Sequence, residues 1–195
     1  AIFFNVYEKT ERKFIKSISF KGMKVLDIGA NIGYYTTLLS QEAGGNGLIL
    51  AIEPDLESYK YLSRSINSLE NKNVLSFPIA ASNLRQKLPL YISKDNRGDN
   101  RLYQNNQKRD HFLVDCLTID ELSSQTKIES FDLIKIDVQG YEPKVFQGMQ
   151  KTIRSSKNLT ILSEFWPKGI IQAGESPANF LQTLRKMKLN LFELK

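Results

Sequence analysis

Short apolar runs alternate with stretches of helical periodicity along most of the chain. Residues 24–28 form a compact apolar segment that runs into a glycine turn, the pattern of a buried strand. Ile32, Tyr35, Leu38 and Leu39 then recur at helical spacing, and Gly44-Gly45 ends that helix. Residues 48–52 are a second unbroken apolar strand. Pro54 follows near a first helical turn, where its missing N–H costs little. Leu56, Tyr59, Leu62, Ile66 and Leu69 make one stripe of the next helix. Residues 74–79, 131–138 and 159–165 are three further predicted strands. Pro143 opens a helix with apolar positions Val145, Phe146, Met149 and Ile153. Ser176-Pro177 caps another that presents Phe180, Leu181, Leu184 and Met187. Residues 189–194 resemble the start of one more strand.

This repetition predicts an α/β fold with a mostly parallel central sheet, right-handed crossovers and helices on both faces. Ligands of such sheets bind at the carboxyl ends of the strands, near the point where strand order reverses. The chain reads as one domain over 1–195 with two additions. Residues 1–21 hold Phe3, Phe4, Tyr7, Phe14 and Ile15, which fit either a helical extension covering the site or the remnant of a longer region. Residues 83–111 form a polar insertion centred on 95–101, and short strands at 88–92 and 112–117 flank that centre. An irregular stretch of that length is commonly functional or mobile, and this one is expected on the substrate side of the sheet.

Composition narrows the chemistry. Cys116 is the single cysteine and His111 the single histidine, which excludes an intrachain disulfide, a cysteine zinc site and a multi-histidine metal site. No apolar run approaches the roughly 20 residues of a membrane helix, and the first residues lack the pattern of a signal peptide, so a cytoplasmic location is the expectation. The net charge of +6 suggests an anionic partner, with nucleic acid among the options. Lys and Arg are scattered, however, and a solvated basic surface fits that pattern better.

The turn after the first strand reads Asp27-Ile28-Gly29-Ala30-Asn31-Ile32-Gly33. Glycines there let backbone pass close to a ligand. The spacing departs from the dinucleotide pattern, because Asn31 and Tyr34 take the second and third glycine positions. That disfavours a pyrophosphate. S-adenosylmethionine has no phosphate, and its cationic groups suit an acidic Asp27 beside the turn. Glu53 ends the second strand, where an acidic residue can accept from both ribose hydroxyls. The plainer alternative gives the glycines to a tight turn and Glu53 to a helix terminus.

The chain resembles the FkbM-type methyltransferases, a branch of the class I S-adenosylmethionine-dependent enzymes with a Rossmann-like fold. The matching stretches are residues 25–36, Ala51-Ile52-Glu53-Pro54, and Leu133-Ile134-Lys135-Ile136-Asp137-Val138-Gln139-Gly140-Tyr141-Glu142. Weaker matches lie at 80–82, 117–122 and 163–165. The resemblance implies that Asp27, Gly29, Asn31, Gly33, Tyr34, Glu53 and Pro54 hold S-adenosylmethionine. It implies that Ala81 and Ser82 lie near the adenine and that Asp137 lies beside the transferred methyl. The family often has Glu where this chain has Gln139, so position 139 receives no acid/base role. The implied reaction is O-methylation of a small molecule, sugar or glycolipid.

An alcohol must lose its proton in such a transfer, and Asp137 is the candidate general base. Lys135 and Asp137 point to one face of a strand, so Lys135 can keep Asp137 ionised; a structural ion pair is the alternative. Glu164, Trp166, Arg97, Arg101 and His111 are candidate substrate contacts. Glu142 is expected to stabilise the start of its helix. No metal site is expected, because two carboxylates, Asp137 and Glu164, rarely define one. A nucleic-acid methyltransferase and a non-catalytic cofactor-binding module are the competing readings.

Overall fold

A computed structural model describes residues 9–18, 21–106 and 108–193. In chain order the strands are β1 (Lys24–Ile28), β2 (Leu48–Ile52), β3 (Val74–Phe77), β4 (Ala80–Ala81), β5 (Gln86–Tyr91), β6 (His111–Leu117), β7 (Leu133–Ile136) and β8 (Thr160–Ser163). The helices are α1 (Lys9–Ser17), α2 (Tyr34–Ala43), α3 (Leu56–Asn67), α4 (Ile119–Thr126), α5 (Glu142–Gln147), α6 (Gln150–Ser155), α7 (Pro167–Gln172) and α8 (Pro177–Lys186).

Five strands pair in parallel in the order β3-β2-β1-β7-β8. The chain therefore builds outward from β1 on one side, then crosses and builds outward on the other. The crossover leaves a crevice at the carboxyl ends of β1 and β7. Both faces are covered, which is why the strands read as continuous apolar runs.

Alternation along the strands sorts their side chains. Leu26, Ile28, Leu50, Ile52, Ile134 and Ile136 enter one core with Val145, Phe146, Met149, Phe180 and Leu184. Val25, Ile49 and Leu133 enter the other, with Ile15 of α1 and Tyr35 and Leu39 of α2. Each fully buried Leu or Ile contributes about 1.5–3 kcal/mol. The same parity puts Asp27 and Lys135 on the second face, directly opposite one another in the β1–β7 register. They are the two charged residues that β1 and β7 send into that layer.

The structure departs from the sequence pattern at several points. The strand expected over 74–79 stops at Phe77, and Ala80–Ala81 joins a separate sheet of order β4-β6-β5. Pro78 stands at the break, where it has no N–H for the ladder. The helix expected from Pro143 is two short helices, interrupted at Gly148, whose carbonyl accepts the Asp120 N–H. Ser176 caps α8 as expected, accepting from the Asn179 N–H at 3.3 Å. Of the strand start expected over 189–194, residues 189–193 form no strand and 194 lies outside the described residues. The expected N-terminal helix spans Lys9–Ser17, while Phe3, Phe4 and Tyr7 lie outside the described residues.

The polar insertion is an antiparallel hairpin, not an open loop. β5 pairs with β6 from Gln86–Cys116 to Tyr91–His111. Beyond it, Tyr91 and Arg101 exchange both backbone hydrogen bonds, at 2.8 and 3.1 Å, folding the tip into a closed loop.

Candidate functional site

A cavity of about 590 Å³ opens at the crevice. The end of β1 supplies Gly29 and Asn31, and the end of β2 supplies Glu53 and Pro54. Ile79, Ala80, Ala81, Leu90 and Leu102 give it an apolar side. Lys135 and Asp137, with Glu164 beyond β8, form a charged side. Tyr35 of α2 and Glu11 of α1 complete the wall, and Asn96, Arg97, Gly98 and Asn100 reach it from the insertion tip.

Glu53 is almost fully enclosed. Its Oε2 accepts the Asn31 N–H at 2.8 Å and its Oε1 accepts the Asp55 N–H at 2.9 Å. Asn31 reaches this donor position in the left-handed region, φ 51°, which asparagine tolerates better than most residues. Each carboxylate oxygen has two acceptor sites, so one on each remains for a ligand. Burial pushes the carboxyl up to about 7 despite the two donors, and neighbouring Asp55 and Asp27 push the same way.

Lys135 is nearly buried, with Nζ 3.5 Å from Asp137 Oδ2 and 4.7 Å from the Tyr35 ring centroid. Asp137 Oδ1 accepts from Gln139 Nε2 at 2.8 Å. Glu142 is fully buried and accepts from the Val138 and Gly140 N–H groups, both at 3.2 Å. It thus holds the turn after β7, a role beyond the helix-terminus charge expected of it. Burial pushes its carboxyl up to about 7.

A sequence model of the FkbM methyltransferase domain matches residues 27–192. The chain belongs to this family. Comparison with curated protein sequences gives no match. Among solved structures, the fold is similar to a methyltransferase FkbM from Methylobacillus flagellatus KT, at 16% identity and TM-score 0.57. That match covers 87% of this chain and only 38% of the other protein. It is also similar to an S-adenosylmethionine-dependent methyltransferase from Aquifex aeolicus, at 18% identity and TM-score 0.52, covering 95% and 81%. Fibrillarin from Aeropyrum pernix, solved with natively bound S-adenosyl-L-methionine, matches at 13% identity and TM-score 0.52, covering 95% and 66%. The fold is that of the Rossmann-like class I methyltransferases, and S-adenosylmethionine is the cofactor that goes with this family.

The FkbM domain brings Gly29, Asn31, Glu53, Pro54, Ala81, Lys135, Asp137, Glu164 and Arg97 to the cavity. It places the other expected residues elsewhere. Asp27 has no exposed surface; its Oδ2 accepts from Thr36 at 2.6 Å, and burial pushes its carboxyl up against the pull of Lys135. Gly33 faces Leu62 of α3, where an added Cβ would lie 2.8 Å from Cδ1. Tyr34 packs edge-on against Tyr35, and it is Tyr35 that lines the cavity. Ser82 is fully buried beside Gln86 and Asn83, so Ala80 and Ala81 form the apolar wall instead.

The insertion residues are mostly committed to one another. Arg101 is buried, bonded to Asp99 and Gln172, and stacked 4.8 Å from the Trp166 ring. Trp166 in turn packs on Gly169, so neither forms the cavity wall. Arg109 also pairs with Asp99. His111 is exposed and packs on Tyr91 at the hairpin, away from the cavity.

Arg97 does reach the site, as a latch. Its guanidinium bonds Asp55 Oδ2 at 2.7 Å and Glu57 Oε2 at 2.8 Å, and Asn100 Nδ2 joins Asp55 at 3.2 Å. These bonds pin the insertion tip to the start of α3, next to Glu53. Arg97→Ala leaves the nearly buried Asp55 with fewer donors, so amide exchange over 96–101 is expected to speed up by about tenfold. Unchanged protection there would show that the tip is held by the hairpin alone.

Sequence reasoning missed Tyr35, Glu11, Asn96, Gly98, Asn100 and Leu102 as wall residues. Only the polar run at 95–101 carried a signal, and it pointed to the acceptor side of the site. The structure places the tip against Asp55 and Asn31.

Proposed function

We propose that this chain is the S-adenosylmethionine-binding domain of an O-methyltransferase acting on a hydroxyl of a small molecule, sugar or glycolipid. The observation that carries the reading is Asp137: a carboxylate in the cavity wall, at the strand-order reversal, with one oxygen on Lys135 and the other on Gln139. The cavity suits the cofactor. Glu53 has an acceptor site left on each oxygen for two vicinal ribose hydroxyls, and Ile79, Ala80, Ala81 and Leu90 offer an apolar wall to the adenine.

Bound S-adenosylmethionine supplies an electrophilic methyl group on sulfur. The residues of the chain provide alignment and proton removal. Glu53 fixes the ribose from the end of β2, and Gly29 and Asn31 shape the backbone beneath it. Asp137 would accept the proton of an acceptor hydroxyl held beside the methyl group that the cofactor supplies. Lys135 places a cation 3.5 Å from Asp137 Oδ2, beside the group that would take the proton. The insertion arginines are paired within the chain, which weakens the case for a polyanion such as RNA as acceptor. Among the described residues no helix is long and apolar enough to cross a membrane, and no cluster has metal-ligand composition.

The test is transfer of labelled methyl groups from S-adenosylmethionine to a panel of hydroxyl-bearing sugars and lipids. Asp137→Asn should lower turnover about 100-fold. Its affinity for S-adenosylhomocysteine should stay within about threefold, because the nucleoside contacts lie elsewhere. Transfer that favours RNA over every hydroxyl small molecule would replace this reading.

A further inference from the structure

Asp137 and Glu164 follow neighbouring strands β7 and β8, and both line the cavity. Gln139 joins them. Its Nε2 donates to Asp137 Oδ1 at 2.8 Å and, more weakly, to Glu164 Oε2 at 3.4 Å. The Gln139 backbone is left-handed, φ 55°, and is followed by Gly140 at φ 98°. A non-glycine residue held there is strained, and strain of this kind gathers at functional sites. Tyr103 of the insertion holds it in place, donating its hydroxyl to the Gln139 carbonyl at 2.7 Å.

The charges at this end of the cavity do not balance. Lys135 pairs with Asp137. Glu164 has no ion-pair partner within 4 Å among the described residues. Burial pushes the Glu164 carboxyl up; Asp137 pushes the same way and Lys135 against it, while Arg101 and Asp99 act from the insertion with opposite signs. One negative charge is left over. Strands lie about 4.8 Å apart, so the end of β7 is roughly 10 Å from Glu53 at the end of β2. A nucleoside with its ribose on Glu53 and its methionine directed along the strand ends toward β8 would bring its sulfur toward Asp137, with Glu164 one further strand spacing of about 4.8 Å away.

We infer that Glu164, with Asp137 and under the positioning hold of Gln139, selects the sulfonium form of the cofactor over its neutral thioether product. This rests on the cofactor assignment above. The physical cause is Coulombic. S-adenosylmethionine has a net charge of +1 and fills the deficit, whereas S-adenosylhomocysteine is a net-neutral zwitterion and leaves it open. Spent cofactor is thereby disfavoured once the methyl group has gone. Gln139 acts through the two carboxylates: its amide donates to both and so fixes their placement relative to one another.

Binding of three probes, measured by calorimetry at one pH, tests this without an acceptor. They are S-adenosylhomocysteine, S-adenosylmethionine and sinefungin, which carries an amine-bearing carbon in place of the sulfonium. The unaltered chain should bind both cationic probes about tenfold or more tighter than S-adenosylhomocysteine. In Glu164→Gln, an isosteric change at an exposed side chain, that ratio should fall to about twofold. Gln139→Leu should lower it as well, with melting checked to confirm folding. Equal affinity for all three probes in the unaltered chain, or a ratio untouched by Glu164→Gln, overturns the selection. A ratio untouched by Gln139→Leu removes the positioning role. If S-adenosylhomocysteine does not bind at all, the cofactor assignment falls and the selection with it; if it binds without discrimination, only the selection falls.

Discussion

Glu53→Ala should bind S-adenosylhomocysteine roughly 1,000-fold more weakly than the unaltered chain, since two hydrogen bonds to a charged group are each worth about 1.5–3 kcal/mol. The substitution removes both ribose acceptors. It also strips the Asn31 and Asp55 N–H groups of their partner, so the turn loses its shape along with its ligand. Calorimetric titration measures the change, and a loss of under tenfold would move the ribose away from Glu53. The same carboxyl predicts a pH dependence. In the free chain it is pushed up to about 7 from an ordinary 4.5. Ribose hydroxyls donate to the ionised form, so binding releases a proton wherever the free carboxyl is protonated. Affinity should therefore rise about tenfold per pH unit on approaching pH 7 and level off above it. Glu53→Gln should flatten that slope. In the absence of ligand the linkage to stability runs the other way. The raised value favours the fold below pH 4.5, and that contribution is lost as pH climbs through about 7.

Gly29→Ala should lower the melting temperature by about 10 °C and abolish cofactor binding, because a clash against backbone together with a strained φ costs about 3 kcal/mol or more. Gly29 has φ 79°, and a Cβ there would overlap the Asp137 carbonyl oxygen. That oxygen cannot swing aside, because the neighbouring Asp137 N–H is tied to Ile28 at 3.0 Å across the β1–β7 seam. Relief would have to part the two strand ends that carry the site. Gly44→Ala is the control. Gly44 also has positive φ, at 67°, but nothing lies within 4 Å of the added carbon. Scanning calorimetry of the pair separates backbone strain from the clash. Equal, small shifts would show that the seam opens easily.

Much of the fold was legible because burial on both faces of a parallel sheet leaves an unmistakable run of apolar residues. The strands at 24–28 and 48–52 are found where the pattern puts them. Elements that depend on one another were harder to read. β4 is two residues long and exists through its pairing with β6, which follows thirty residues later. The helix after Pro143 is divided at a glycine where the start of α4 docks. The hairpin of the insertion was read in part, as two flanking strands, but the closure of its tip onto α3 depends on Arg97 meeting Asp55, 42 residues away. No local pattern encodes that meeting.

The sequence by itself determined the family, the parallel α/β architecture, and the placing of Glu53 and Asp137 at strand ends. These follow from local order: a strand's length and its terminal residue are neighbours in the chain. Tertiary structure decided which of the nearby polar residues face the cavity. Asp27 and Lys135 share a face and a register, yet Asp27 is enclosed beneath Thr36 while Lys135 reaches the wall. Gly33 and Ser82 serve packing, and Arg101 and Trp166 stack on each other. The charge left over at Glu164 is likewise invisible in the sequence, because it is a difference between groups contributed by β7, β8 and the insertion. Chain order fixes what a residue is and which strand ends in it; only the packed structure fixes which charges stand close enough to cancel.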